Sequence, residues 1–409
     1  MNNYREKINE NNAELRECID IAENLPDACT HGDFTLQDFV DGRRTLKNLY
    51  DGLTETTDED IGWIAEVDTD NITSTSRMFA NCPLLTKVPY FNTSSVTTTD
   101  NMFYGCSALK EVPQFDLSNA TNTSYMFQSC KGLTKSPSFD LSNVTNASYM
   151  FYGCTSLTEV GALLNTGKIT NFSQMFYNCK LLTEAPMLDL SSATSTYMLF
   201  AYNNFTSVPP LDYSKVTDLS YTFYYCPIEN AEISVDNATK INYLFCGDTY
   251  DTKLKTARIL KTSKVTSMDG LLNGRQGLTS LYIEDMRNVT SASYPLQYCF
   301  KIESFYTKNI KVSLIIGSGA NYAKLLTTDN LISLIYELRE TSTAKTLTVG
   351  SNALSRLASV YVRTIDITDE MRLEDDLIDE KLPFEVCEST DEGAVPITDY
   401  VVLKNWQLA

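Results

Sequence analysis

The sequence predicts an α/β repeat solenoid, a stack of coils of about 24 residues each. Three observations predict this fold. The stretch of residues 101–116 returns, lightly altered, from residue 149 onward. Four cysteines, Cys82, Cys106, Cys130 and Cys154, are spaced 24 residues apart, and Cys179 follows 25 residues later. Hydrophobic residues make up 43% of the 409, which is enough for a continuous core.

The repeat runs ten times between about residues 71 and 300. Each copy has an aromatic or aliphatic anchor: Phe79, Phe103, Phe127, Phe151, Phe176, Phe200, Phe223, Phe245, Leu272 and Leu296. Seven and six residues before each anchor stand a small apolar residue and a threonine. The threonines are Thr73, Thr97, Thr121, Thr145, Thr170, Thr194, Thr217, Thr239, Thr266 and Thr290. This pair persists even in the late copies, where the methionine, cysteine and proline drift.

Each coil is expected to have a turn side and a short strand. The threonine is predicted to cap a short helix or 3₁₀ turn, with the following Met and Phe pointing inward. Leu109, Val112 and Phe115 then form a strand whose length Pro113 limits. Residues 116–119 turn the chain back through short polar side chains. A single coil cannot bury its apolar face, so stacking on both neighbours is required.

The segments on either side of the coils complete the predicted organisation. Residues 1–26 read as an amphipathic helix that serves as an anchor or oligomerisation element, docked on its own domain or paired with copies of itself. Residues 27–70 are a connector or N-terminal cap, and the single histidine, His31, lies in a loop there.

Residues 301–409 are predicted to form atypical C-terminal capping repeats. They begin with an apolar strand over 312–316, and a helix follows Thr328 and Asp329 with Leu331, Ile332, Leu334, Ile335 and Leu338 on its buried side. A strand over 346–349, a helix over 352–357 and an acidic, solvated insertion over 370–380 come next, before a last helix and strand near residues 401–408.

Composition excludes several classes of partner. The formal net charge of -19, with no local basic cluster, argues against nucleic acid and anionic membranes. No segment is long and apolar enough for membrane insertion. The first ten residues lack an apolar run, so we expect no secretory signal peptide. The periodic cysteines are expected to be free thiols, each in a small buried slot of its coil.

The repeat resembles those of a known protein family. Residues 141–160, which read LSNVTNASYMFYGCTSLTEV, are similar to the repeats of the BspA-type leucine-rich-repeat surface proteins. The resemblance covers residues 71–300 and implies a leucine-rich-repeat-like stack with a binding or adhesive role and no catalytic residues. Such repeats also resemble those of phage and prophage virion proteins, with residues 8–15 and 405–409 matching their terminal pieces. That second likeness implies a head or tail fibre component.

The residues that carry chemistry point away from catalysis. The sequence has no Gly-rich phosphate loop, no metal-spaced Cys/His pairs and no nucleophile elbow, so we predict no enzyme, metal or cofactor. A column of aspartates recurs at the repeat period: Asp116, Asp140, Asp189, Asp212 and Asp236. It fits calcium binding or a glycosidase pair, but its periodicity favours a structural turn role. The Asn-x-Ser/Thr sequons, such as those at Asn143 and Asn288, follow from the same repeat and are not expected to mark glycosylation.

Tyrosines are the candidate binding residues. They stand two residues before the anchor or one after it, positions three apart that share a face on a helical turn. The predicted ligand-binding residues are Tyr104, Tyr125, Tyr149, Tyr152, Tyr177, Tyr221, Tyr224 and Tyr243. Stacked coils would align them into a stripe that suits sugar or protein surfaces. The alternative is that these rings simply pack between neighbouring turns.

These observations favour a non-enzymatic structural or adhesive protein. The first hypothesis is a phage virion component that binds a host-surface glycan or protein through its coils. Its N-terminal segment would contact other virion proteins, and the chain would form a homo-oligomer such as a trimer. An exported bacterial surface adhesin and a cytosolic protein-interaction scaffold are the alternatives, and a glycan hydrolase is the least favoured.

Overall fold

A computed structural model describes Asp58, residues 69–248 and residues 250–315 continuously. Toward the C terminus it describes residues 326, 328–338, 345–348, 357, 359–364, 384–387, 390–391, 394–398 and 406–408. The chain divides into two compact units. Unit 1 comprises Met1–Ala193 and Leu199–Asn204, and unit 2 comprises Thr194–Met198 and Phe205–Ala409.

Unit 1 is a parallel stack of coils with very short strands. β1 (Lys135–Ser136) pairs with β3 (Glu159–Val160), and β2 (Phe139–Asp140) pairs with β4 (Leu163–Leu164), both in parallel. A 3₁₀ turn follows at Thr166–Lys168. On the turn side, parallel bridges join successive coils through Ser74, Thr98, Asn122, Asn146 and Asn171.

Unit 2 repeats this arrangement with longer strands. The strands β5 (Asn230–Ser234), β6 (Thr256–Leu260), β7 (Ser280–Ile283) and β8 (Ser304–Tyr306) form a parallel four-stranded sheet in sequence order. A 3₁₀ turn occupies Thr262–Lys264. The turn-side bridges run through Ser195, Asp218, Lys240, Ser267 and Ser291.

The C-terminal part of unit 2 departs from the coil pattern. β9 (Leu314–Ile315) and β14 (Trp406–Leu408) both pair in parallel with β10 (Lys345–Thr348). β11 (Tyr361–Thr364) pairs antiparallel with β12 (Phe384–Cys387) and β13 (Val395–Pro396). The helix α1 spans Thr328–Tyr336. Leu331, Leu334, Ile335 and Leu338 are buried, as predicted, whereas Ile332 is half-buried.

The predicted solenoid fold is confirmed by these parallel coils, which contain little helix among the described residues. The predicted N-terminal helix over 1–26, nearly all of the 27–70 segment, the helix over 352–357 except its last residue, and the acidic insertion over 370–380 lie outside the described residues. The division of the chain at residues 26, 70 and 300 therefore stays a prediction. Across the described part, no helix is long and apolar enough to cross a membrane.

The anchors form the core, as expected. Met102 and Phe103 are fully buried, and so are their counterparts in the neighbouring coils. In unit 1, successive anchor rings from Phe79 to Phe200 stack at centroid distances of 5.3–6.0 Å. In unit 2, Phe223 and Phe245 stack at 5.5 Å. Burying one phenylalanine contributes roughly 1.5–3 kcal/mol, so this column is a major source of stability.

The predicted helix-capping role of the threonines is wrong. The Met-Phe segment is a run of hydrogen-bonded turns, and the threonine hydroxyl bonds to the preceding coil. The Thr121 hydroxyl donates to the Thr97 carbonyl at 3.1 Å, and the Thr121 N–H donates to the same oxygen at 2.8 Å. The same hydroxyl bond recurs at Thr97, Thr145, Thr170, Thr217, Thr239, Thr266 and Thr290. Threonine therefore persists because each coil uses it to hold the next.

The sequon asparagines form a second ladder between coils. The Asn119 side-chain nitrogen donates to the Ser94 carbonyl at 2.7 Å, and that of Asn143 donates to the Ser118 carbonyl at 2.8 Å. Asn237 and Asn288 make the equivalent bonds in unit 2. These asparagines therefore have a structural role between coils.

Candidate functional site

The tyrosines two residues before the anchor have an unusual backbone. Tyr125, Tyr149, Tyr221 and Tyr243 all adopt the left-handed conformation, with φ of 59°, 60°, 61° and 53°. This conformation costs a non-glycine residue roughly 1–3 kcal/mol, and it recurs at the same position of other coils. The turn therefore has a fixed, non-helical geometry that carries the rings out of the core.

In unit 1 the rings meet in a continuous row. Tyr125 and Tyr149 stack at a centroid distance of 4.5 Å with planes 7° apart, and Tyr152 and Tyr177 stack at 4.6 Å with planes 4° apart. Tyr149 and Tyr152 lie 5.6 Å apart within one coil and join the two stacks. The prediction that positions three apart share a face is thus correct here, although the segment is not a helix. We call these four residues the unit 1 tyrosine row.

Unit 2 has a second cluster of the same kind. Tyr221 stacks on Tyr243 at 4.7 Å, and Tyr224 lies 5.3 Å from Tyr221 and 6.5 Å from Tyr243. We call these three residues the unit 2 tyrosine row. Tyr104 is half-buried, and the described ring contacts do not include it; its neighbours at the same coil position are Ala80 and Gln128. All seven residues of the two rows are half-buried.

Three further tyrosines extend the rows beyond the predicted residues. Tyr202 lies 5.2 Å from Tyr177 in unit 1, and in unit 2 Tyr197 lies 5.6 Å from Tyr221 and Tyr225 lies 4.4 Å from Tyr224. Tyr202 and Tyr225 stand two residues after the anchor, at the second left-handed position of the coil. Searching this third position of the repeat would have found them in the sequence.

Stacking decides which parts of the rings a ligand can touch. Each ring of a stacked pair has one flat face covered by its partner, while its edge and hydroxyl lie outside the stack. Burial, and then the nearby Tyr149, raise the pKa of Tyr125; burial, and then Tyr243, do the same for the pKa of Tyr221. These phenols stay neutral at physiological pH. Their hydroxyls offer neutral donors and acceptors, as the 2.5 Å bond from Gln174 Nε2 to Tyr149 Oη illustrates.

The aspartate column has the turn role that its periodicity favoured. The carboxylates of Asp116, Asp140, Asp189 and Asp212 each accept the backbone N–H of the serine two residues later, at 2.9–3.0 Å. Asp236 instead pairs with Lys261 at 2.6 Å. The part of the chain that the structure describes contains no group of three or more His, Cys, Asp or Glu side chains placed to hold a metal ion.

The cysteines are structural. Eight described cysteine side chains, Cys82, Cys106, Cys130, Cys154, Cys179, Cys226, Cys246 and Cys299, are buried free thiols, as predicted. The Cys130 thiol donates to the carbonyl of Phe103, the anchor of the preceding coil, at 3.1 Å. Cys106, Cys154, Cys179 and Cys299 make the same bond. Burial raises the pKa of Cys299 to about 12, so this thiol is not ionised at neutral pH and is a poor nucleophile.

Arg275 occupies a cysteine position, three residues after the anchor Leu272, and sequence reasoning missed it. Its side chain is completely buried. Its Nε donates to the Phe245 carbonyl at 2.5 Å, in place of the thiol, and its Nη2 donates to the Cys226 carbonyl at 2.8 Å. Its Nη1 pairs with the Asp251 carboxylate. The sequence feature that could have identified it is an arginine at the position where other coils have a cysteine.

Charge is unevenly distributed along the chain. Residues 69–315 contain 19 Lys and Arg and 19 Asp and Glu, so the coils carry no formal net charge. The whole charge of -19 therefore belongs to residues 1–68 and 316–409. A ligand of the coils meets a neutral, aromatic and hydroxyl-rich surface.

The coils define a leucine-rich-repeat-like solenoid protein. The family model described as "Mycoplasma protein of unknown function, DUF285" matches residues 44–162, 116–209, 162–248 and 193–311. These overlapping matches span more than half of the chain, and the chain belongs to the DUF285 family. The expectation of a BspA-like repeat protein is supported at this level, whereas neither the family nor the fold supports a place in a phage virion.

The chain was also compared with curated proteins and with solved structures. No curated protein matches the chain. The crystal structure of a leucine-rich repeat protein from Bacteroides ovatus is similar, with 16% identity over 63% of this chain and 75% of that chain and a TM-score of 0.33. The fold assignment rests on the hydrogen-bonded coils themselves.

Proposed function

We propose that the protein is a non-enzymatic binding protein whose coils engage a protein partner through the tyrosine rows. The observation that carries the proposal is the unit 1 row, in which four half-buried rings contact one another and present their edges and hydroxyls side by side. Rigid tyrosines supply contact area and hydrogen bonds at a low cost in conformational entropy.

A protein suits these rows better than a glycan does. Sugars recognised by aromatic residues lie against an open ring face, but each stacked ring here has one of its two faces covered by a neighbouring ring 4.5–4.7 Å away. A row of phenol edges and hydroxyls instead resembles the tyrosine-rich surface of a paratope. The neutral coils favour a partner that does not depend on strong electrostatic steering.

A binding role also agrees with the state of the periodic aspartates and cysteines, which are engaged in the fold and not in catalysis. The periodic carboxylates are engaged in turns, and the periodic thiols are buried and protonated. Display at a cell surface is the location we favour, in keeping with the BspA-like resemblance of the repeats. The finer expectations of a virion fibre, of contacts to other virion proteins through residues 1–26 and of a homo-oligomer stay predictions. Particle fractionation and light scattering of the purified chain test them.

The test compares binding of the purified full chain to the surface of intact cells, with and without protease treatment of those cells. The variant Tyr149→Ala/Tyr152→Ala/Tyr177→Ala is expected to lower binding at least about tenfold, because it removes aromatic contacts worth a few kcal/mol together. Protease treatment is expected to abolish wild-type binding.

Two controls separate recognition from folding. Replacing the same three tyrosines by phenylalanine keeps the stack and removes only the hydroxyls, so an intermediate loss is expected. Tyr90→Ala changes a tyrosine of unit 1 that is 60% exposed and belongs to the strand side of its coil, and it should bind normally. Unchanged binding by a folded triple alanine variant would contradict the proposal.

A further inference from the structure

A second surface lies on the outward face of the four-stranded sheet in unit 2. The strands β5 to β8 are parallel and in register, so equivalent side chains line up across the sheet about 4.8 Å apart. Ala231, Ala257, Leu281 and Phe305 point inward and are buried. The residues that alternate with them face outward in two adjacent rows.

The first outward row is Glu232, Arg258, Tyr282 and Tyr306, neighbours in the strand register. Arg258 Nε lies 3.3 Å from the Glu232 carboxylate, and the guanidinium carbon lies 5.5 Å from the centre of the Tyr282 ring. The Arg258 and Glu232 side chains remain 58% and 64% exposed. Tyr306 is 50% exposed.

The second outward row is Asn230, Thr256, Ser280 and Ser304. The Thr256 hydroxyl donates to Asn230 Oδ1 at 2.8 Å, and the Ser304 hydroxyl donates to that of Ser280 at 3.0 Å. The row therefore presents amide and hydroxyl groups in pairs, each able to exchange further hydrogen bonds with a ligand.

We propose that this face is a binding site for a neutral saccharide. One sugar residue of an oligosaccharide packs its C–H face on Tyr306, and the sugar residues that follow it across the sheet bond through their hydroxyls to Arg258, Glu232 and the amide and hydroxyl row. Unlike the rings of the tyrosine rows, the Tyr306 ring takes part in none of the described ring stacks. Cation–π contact with Tyr282 holds the Arg258 guanidinium over the sheet, so its donors are already oriented.

Charge complementarity selects a neutral ligand. The carboxylate of Glu232 and the guanidinium of Arg258 neutralise each other, and the surrounding coils carry no net charge. Because this pair is neutral overall, neither an acidic sugar nor a basic peptide gains a net electrostatic attraction from it. An extended peptide also gains no main-chain hydrogen bonds on the face of a sheet, because only strand edges offer them.

The experiment measures binding of the full chain to immobilised neutral oligosaccharides, namely glucan, galactan and N-acetylhexosamine oligomers, beside uronic-acid and sialic-acid glycans. Wild-type protein is expected to bind at least one neutral series. Tyr306→Ala is expected to weaken that binding at least about tenfold, whereas Tyr306→Phe retains it. Tyr250→Ala alters a tyrosine of unit 2 that is 81% exposed and outside the sheet, and it should bind as wild type does.

Three results would overturn the proposal: no binding to any neutral oligosaccharide, equal binding by folded Tyr306→Ala protein, or binding confined to acidic glycans. The outcome is independent of the tyrosine rows. The triple alanine variant at Tyr149, Tyr152 and Tyr177 should retain saccharide binding even if it loses binding to cells.

Discussion

Replacing Arg275 by alanine is expected to destabilise unit 2 by about 3–5 kcal/mol. The guanidinium is fully buried, and its three nitrogens bond to Phe245, Cys226 and Asp251. Without it, two buried carbonyls lose a donor, at roughly 1–3 kcal/mol each. Asp251 loses its counter-charge, but its side chain is 13% exposed and regains some hydration.

The chain offers a graded comparison at this position. Arg275→Cys restores the residue found at the equivalent position of other coils, and its thiol is expected to bond to the Phe245 carbonyl as the Cys130 thiol does to that of Phe103. The Cys226 carbonyl and the Asp251 carboxylate lose their arginine donors, whereas Asp251 keeps the bond from the Lys253 N–H. We therefore expect about half of the destabilisation caused by alanine.

Urea unfolding followed by far-ultraviolet circular dichroism gives the free energies of unfolding. Stacked repeats need not unfold in a single step, so hydrogen exchange read by mass spectrometry should localise the loss of protection to residues 226–299. A free energy of unfolding for Arg275→Ala within about 0.5 kcal/mol of wild type would refute the reasoning.

Three further outcomes are expected. Thr145→Val removes the hydroxyl donor to the Thr121 carbonyl and should lower the free energy of unfolding in urea by about 1 kcal/mol. Thr145→Ser keeps the hydroxyl and should lower it less. A valine variant as stable as wild type would contradict the role of the threonine hydroxyls between coils. Gly153→Ala should lower the free energy of unfolding by about 1 kcal/mol, because φ is 71° and the added Cβ meets only ordinary contacts. Gly274→Ala should lower it more, because its Cβ would lie 2.4 Å from the Gly247 carbonyl oxygen. The reverse order of the two variants in thermal unfolding would be inconsistent with this geometry. The hydrogen bond from the Ser214 N–H lowers the pKa of Asp212, so its stabilisation is present above the usual pKa of 3.8 and is lost as pH falls through the lower folded value. The thermal midpoint of Asp212→Asn should therefore approach that of wild type in acid. A difference between the two midpoints that stays constant with pH would contradict this.

The coil period and the inward residues were predictable because they depend on local sequence. A recurring anchor such as Phe103 must be buried wherever the coil lies in a stack, and a cysteine at a constant distance from it occupies a constant slot. The Asp116 turn needs only the N–H of a residue two positions away. Each of these features can be recognised within one copy of the repeat.

The contacts of the threonines were not predictable in the same way. Within one copy, Thr121 resembles a helix cap, because an N-cap and a turn residue share the same short polar side chains. Its actual partner, the Thr97 carbonyl, lies 24 residues earlier and comes within reach only when the coils stack. The sequence of one copy alone therefore could not predict this contact.

The predicted tyrosine positions show the same division. Their spacing indicated a shared face, and the structure brings seven of the eight into ring contact. Which ring faces are covered depends on the left-handed backbone of the turn and on the stacking register. The spacing alone does not reveal either one.

By itself, then, the amino-acid sequence determined the repeat, its period, its buried anchors and the candidate tyrosines, because those features recur from one copy to the next along the chain. The tertiary structure decided what each coil contributes to its neighbours: the threonine ladder, Arg275 in a cysteine position and the outward row that ends at Tyr306. The physical reason is that these interactions join residues 22 to 49 positions apart, and only the register of the stack brings such residues together.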